Sequence, residues 1–134
     1  MYPPGFAVYI TLGGLGVQTT HVPFFNLQRE IFMQHLRYQD LIWLDAPSQE
    51  VSKAEIARNA EGGGVSFWRV SKDSGFAHHS HKGYEYIYVV SGRMNFAGNL
   101  LEEGDFLLTS EGETHEAIAL EASTILVIGE RKNS

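Results

Sequence analysis

Cysteine is absent from this chain. Disulfides, thiolate-ligated zinc or iron–sulfur centres and thiol catalysis are excluded with it. Proline is scarce, 4 residues against 14 glycines, a balance that favours turns between strands. Positive charge is also short: 10 Lys and Arg face 16 Asp and Glu, for a net charge of −6. A surface of that sign repels phosphate and argues against nucleic acid or an anionic membrane as partner. No apolar run is long enough to cross a bilayer. The nearest to a leader is the stretch 6–17 (FAVYITLGGLGV), but the first basic residue is Arg29 and no A-x-A cleavage pattern follows. It reads as part of the N-terminal region of a cytoplasmic protein. The composition, 43% hydrophobic and 19% charged over 134 residues, is that of one ordinary globular domain.

No repeat, low-complexity tract or linker divides the chain. Residues 1–48 are irregular in pattern and residues 49–134 are not. In the first part, residues 8–12 are strand-like until GGLG breaks them. Asn26 can cap a short helix running to Gln39, with Leu27, Ile31 and His35 at i, i+4 spacing and Glu30 in the first turn. The run 50–58 (EVSKAEIAR) is ambiguous, because Ser52 and Glu55 match a capping box. Gly62–Gly64 and the β-prone run 65–70 (VSFWRV) favour a hairpin instead. Further strands are expected at 84–90, 92–97, 105–109, 116–120 and 123–128. Short, evenly spaced strands with Gly, Asn and Asp between them predict an all-β sandwich or barrel.

The residues that carry chemistry lie in this second part. His79 and His81 stand at i, i+2, which on a strand aims both rings to one face. Glu85 follows across a Lys82-Gly83 turn that can bring it to a neighbouring strand and the same face, and His115 is a fourth candidate from a separate hairpin. Three imidazoles and a carboxylate suit one divalent first-row metal ion: Fe, Mn, Co, Ni, Cu or Zn. His78 falls on the opposite face by parity. His21 and His35 have no partner pattern, and Glu102, Glu103 and Glu113 read as surface residues.

Parity sorts the other side chains. If Glu85 points inward, so do Ile87 and Val89, while Tyr84, Tyr86 and Tyr88 share an outer face suited to an interface. Burying Arg69 unpaired in an apolar barrel would carry a large desolvation cost, so it points outward. That turns Ser66, Trp68 and Val70 inward. Trp68 then projects into the metal cavity, and Phe76, Ile87, Ile125 and Val127 are further candidates for its wall.

These residues resemble the cupins. That family has a first motif, G-x5-H-x-H-x3,4-E-x6-G, which His79, His81, Glu85 and Gly92 match. Its second motif, G-x5-P-x-G-x2-H-x3-N, is matched by Gly104, Gly112 and His115. The departures are Asp73 at the first glycine, Ser110 at the proline and Ala119 at the asparagine. The resemblance covers roughly residues 50–130. It implies a double-stranded β-helix (jelly-roll) barrel, which the irregular residues 1–48 precede as an N-terminal extension carrying the short helix read above. It also implies one metal ion, iron foremost, held by His79, His81, Glu85 and His115. The run 75–94 is similar to small single-domain cupins: oxygenases that cleave β-diketones or dihydroxyacetophenones, and the cupin half of certain anti-sigma factors. The expected function is therefore a metal-dependent dioxygenase acting on a small carbonyl or phenolic compound. An isomerase or lyase, or a non-catalytic metal- or ligand-sensing module, is the alternative. The expected substrate-binding residues are Trp68, Phe76, Ile87 and Val127, and the expected assembly is a homodimer.

Overall fold

A computed structural model describes residues 7–8, 34–47 and 50–130. Eleven strands account for nearly all its regular structure: β1 Ala7–Val8, β2 Leu44–Asp45, β3 Val51–Arg58, β4 Gly64–Val70, β5 Gly75–Ser80, β6 Glu85–Ser91, β7 Arg93–Phe96, β8 Asn99–Glu102, β9 Phe106–Thr109, β10 Thr114–Ala119 and β11 Ser123–Gly129. They form two antiparallel sheets. The larger runs β1-β3-β4-β11-β6-β9, with β2 also pairing with β3, and the smaller runs β5-β10-β7-β8. This is the all-β jelly roll expected from the sequence.

The ambiguous run at 50–58 is strand β3, and it forms a hairpin with β4 around the glycines. The helix expected to reach Gln39 is not formed in its described part. Residues 34–37 are irregular and only a 3-10 turn, Tyr38–Asp40, follows. The residues before 34 lie outside the described ones. Tertiary contacts override the helical spacing here. Tyr38 packs edge-on against Phe67 of β4 with ring centroids 5.2 Å apart, and the Arg69 guanidinium lies 3.8 Å over the Trp43 ring. Arg69 is therefore outside the barrel, as parity required, and it ties residues 38–45 to the outer face of β3 and β4.

The interior is graded along the strands. At one end Val51, Val70, Ile87, Val89, Met94, Phe96, Leu101, Ala117, Ala119 and Ile125 form a buried apolar core. At the other, the chain crosses between the sheets twice, once from β5 to β6 and once from β9 to β10. The turns follow the motif's logic. Gly92 has φ +89°, and any side chain there would strike Ser123 and the Ala122 carbonyl. Asp73, standing where the cupin motif has its first glycine, keeps the same left-handed backbone at φ +67°. Aspartate tolerates that region better than most residues, so the substitution leaves the turn in place.

Candidate metal centre

The two crossings place the candidate ligands. His79 is the last residue but one of β5 and is directly paired with His115 of β10, while His81 follows just beyond β5. Glu85 opens β6, which pairs with β11 and β9 and not with β5. The Lys82-Gly83 turn thus carries Glu85 into the opposite sheet, facing the histidines across the barrel, rather than onto an adjacent strand.

A β-bulge in β5 completes the aim. His115 pairs with His79 and Ala117 with Phe76, so three residues of β5 span two of β10. The extra residue rephases the strand. Phe76 consequently packs against the core while His79 turns to the other candidate ligands, whereas simple alternation would have separated them; His78 and His79 are both exposed, but only His79 joins the cluster.

The four donor atoms of His79, His81, Glu85 and His115 lie within 4.8 Å of one another. His81 Nε2 is 3.2 Å from Glu85 Oε1, and His115 Nε2 is 3.8 Å from the same oxygen. Each imidazole is held from behind by its other nitrogen. His79 Nδ1–H donates to the Ala77 carbonyl at 2.8 Å and His81 Nδ1–H to the Glu113 carbonyl at 2.9 Å. A carbonyl can only accept, so in both rings the lone pair is on Nε2. Nδ1 of His115 meets the buried Thr109 hydroxyl at 3.4 Å. Burial first, and then the neighbouring imidazoles of His81 and His79, lower His115 from 6.5 to about 4. It is a neutral imidazole at physiological pH.

The donor set fits a first-row cation. Imidazole nitrogens and a carboxylate oxygen converge, the ligand types that first-row divalent ions favour. Donors sharing one ion at about 2.0–2.2 Å stand about 3.0–3.4 Å apart, a spacing that the His81–Glu85 pair meets. The carbonyl and hydroxyl contacts behind the rings are the kind that orient metal-binding histidines.

The site opens on a cavity of about 300 Å³. Trp68 and Val127 line it beside His79, His81 and Glu85. Phe76 does not line it. Its ring backs Trp68 edge-on, with centroids 5.2 Å apart, because Trp68 lies between it and the cavity. Ile87 and Ile125 belong to the sealed core, one inward position deeper than Glu85 and Val127 on their strands. Tyr86 and Tyr88 lie on the outer face beside Phe106, but Tyr84 precedes β6 and stands at the cavity rim.

Sequence reasoning missed the partners that hold the rings. Thr109 is directly paired with Glu85 across β6 and β9, so the register would have revealed it. The Glu113 carboxylate is a surface group, accepting from the Ser110 amide, but its carbonyl holds His81. No sequence signal marks a backbone oxygen.

A two-sheet antiparallel barrel with its polar cluster at the end of the β5–β6 and β9–β10 crossings is the architecture of a cupin. The chain belongs to the ChrR cupin-like domain family, whose match runs over residues 28–133. Among solved structures it is similar to an acetylacetone dioxygenase from Acinetobacter johnsonii, with TM-score 0.64 and 14% identity over 72% of this chain and 74% of that one. It is also similar to the polyketide cyclase RemF from Streptomyces resistomycificus, with TM-score 0.63 and 19% identity over 75% and 82%. A third likeness is to a chain from the complex of Rhodobacter sphaeroides SigE with the anti-sigma ChrR, with TM-score 0.62 and 17% identity over 70% of this chain and 52% of that one. At these identities the likeness is one of fold. No curated protein matches in sequence.

Proposed function

We propose that His79, His81, Glu85 and His115 hold one divalent first-row metal ion, iron foremost, and that the cavity beside them converts a small carbonyl or phenolic compound with dioxygen. The observation that carries this reading is the convergence of the imidazole lone pairs and the Glu85 carboxylate on the wall of an open cavity. When bound, such an ion supplies Lewis acidity toward an enol or phenol oxygen and open positions beyond its protein ligands. The chain's own residues do the rest. Trp68 and Val127 form the apolar wall that orients the substrate and limits its size. The Ala77 and Glu113 carbonyls keep the rings of His79 and His81 aimed and their Nδ1 protons away from the site, and the Thr109 hydroxyl steadies His115. The fold shared with an acetylacetone dioxygenase supports an enzyme of this kind. In this reading residues 49–134 are the working barrel and residues 1–48 an N-terminal extension.

The second reading is a sensing module that binds metal or ligand and acts on a partner protein. The ChrR cupin-like family match favours it. Oxygen uptake by the iron-loaded chain separates the two readings. Acetylacetone, a dihydroxyacetophenone and a catechol are offered in turn, each with a metal-free control. Metal-dependent uptake with one of them supports the oxygenase. Full metal loading with no uptake for any compound favours the sensor.

A further inference from the structure

The cavity wall opposite the histidines carries cations that the ligand motif does not account for. On β3, Val51 is in the buried core, and alternation puts Lys53 and Glu55 on the same inner face. Lys53 is the direct cross-strand partner of Trp68, and its Nζ lies 5.1 Å from the indole centroid. It also lies 3.7 Å from a Glu55 carboxylate oxygen. The same oxygen accepts from Arg58 Nε at 2.7 Å. All three charged side chains line the cavity that His79, His81 and Glu85 enter.

The balance of charge selects the ligand. The lining contains Lys53, Arg58 and Lys82 against Glu55, Glu85 and Glu130, which cancel. A divalent ion on the histidine cluster leaves the cavity with two net positive charges inside a chain of net charge −6. Cavity walls of low dielectric concentrate such a field on whatever enters. One Glu55 oxygen shared by two cations leaves ammonium donors of Lys53 free to meet another acceptor. The Lys53 side chain keeps 33% of its exposure, so an incoming anion displaces water rather than breaking a buried pair.

We propose that the substrate is a small organic anion whose carboxylate is received by Lys53 while its apolar body packs on Trp68 and Val127. Lys53 is then a specificity-determining residue. The proposal rests on the metal-site reading for the ligand's other end, but the Lys53 contact stands apart from it and is tested separately.

The probes are benzoate and its neutral analogue benzamide, titrated calorimetrically into the full chain in zinc-loaded and metal-free forms. Benzoate is expected to bind about tenfold more tightly than benzamide to the zinc-loaded chain, as one charge-assisted contact allows. Lys53→Met should erase that preference by weakening benzoate alone, and Lys53→Arg should retain it. Lys53→Gln gives the same readout if the Met variant does not fold. Equal affinity for the two probes, or an unchanged preference without the lysine, overturns the proposal. A chain that takes up no zinc yet keeps a Lys53-dependent benzoate preference defeats the metal reading and upholds this one.

Discussion

His115 is the side chain whose environment has the clearest consequence in solution. Folding holds it at about 4, against 6.5 for an ordinary imidazole. Above pH 6.5 the group is neutral in both folded and unfolded chains and contributes no pH dependence. As pH falls below 6.5, the unfolded chain binds a proton that the folded one refuses, so stability is lost progressively toward pH 4. The metal-free protein should therefore lose on the order of 2 kcal/mol between pH 6.5 and pH 5, at about 1.4 kcal/mol per pKa unit. Thermal unfolding after chelation measures this loss, and His115→Gln should flatten the slope in that window. An equal slope in the variant would show that His115 is not the group responsible. Trp68 makes a second prediction at this scale. Its Nε1–H donates to Ser66 Oγ at 2.9 Å, which fixes the indole on the cavity wall. Trp68→Ala should cost about 2–4 kcal/mol, judged by denaturant unfolding, and enlarge the cavity while leaving metal content unchanged. Loss of the metal in that variant would mean that the indole supports the ligands themselves.

Among the elements, residues 38–45 matter more than their short strand suggests. Trp43 covers the Arg69 guanidinium, and Leu44 and Asp45 pair with β3. Trp43→Ala should lower stability by about 1–2 kcal/mol, the sum of a cation–π contact and partial burial. A denaturation midpoint unchanged from the parent chain would show that this strap is not held by its stacking. The same elements show what the sequence could and could not disclose. Strand existence, the hairpin at Gly62–Gly64 and the inward sets on β4 and β6 were legible because period-2 alternation, glycines and one charged residue, Arg69, left a single consistent orientation. The grouping of His79, His81, Glu85 and His115 was legible because their spacing along the chain follows the two cupin motifs. Strand β8 was not, since Asn99–Glu102 is four residues closed off by glycine-bearing turns. Phe76 cannot be placed by parity, because the bulge that turns it inward depends on how β5 meets β10. Lys53 escaped notice for a related reason: a lysine in a run equally readable as a helix passes for a solvated residue until the pairing with Trp68 is known.

At the scale of the whole molecule, the outer face of the larger sheet is unusually apolar. Phe106 is 59% exposed, Leu108 53% and Tyr88 37%, and β9 is the last strand on that sheet's path. Cross-strand pairing lines up Tyr88 with Phe106 and Tyr86 with Leu108 into one patch. Exposed clusters of this kind mark association surfaces, and a twofold pairing with a second copy is the simplest closed solution. Sedimentation at micromolar concentration should give a species of twice the 15.0 kDa chain mass. Phe106→Glu should return it to the monomer, whereas a monomeric parent chain would rule the pairing out. Among the described residues no helix is long and apolar enough to cross a membrane.

Metal stoichiometry in the full chain purified without added metal, compared with His81→Ala, tests the central claim most directly. His81 is buried, anchored by Glu113 and within 3.2 Å of Glu85, so its loss removes the donor nearest the carboxylate. The account predicts close to one first-row metal ion per parent chain and almost none in His81→Ala, with the β-sheet circular dichroism of the two alike. A variant that folds and still holds one ion per chain would contradict it.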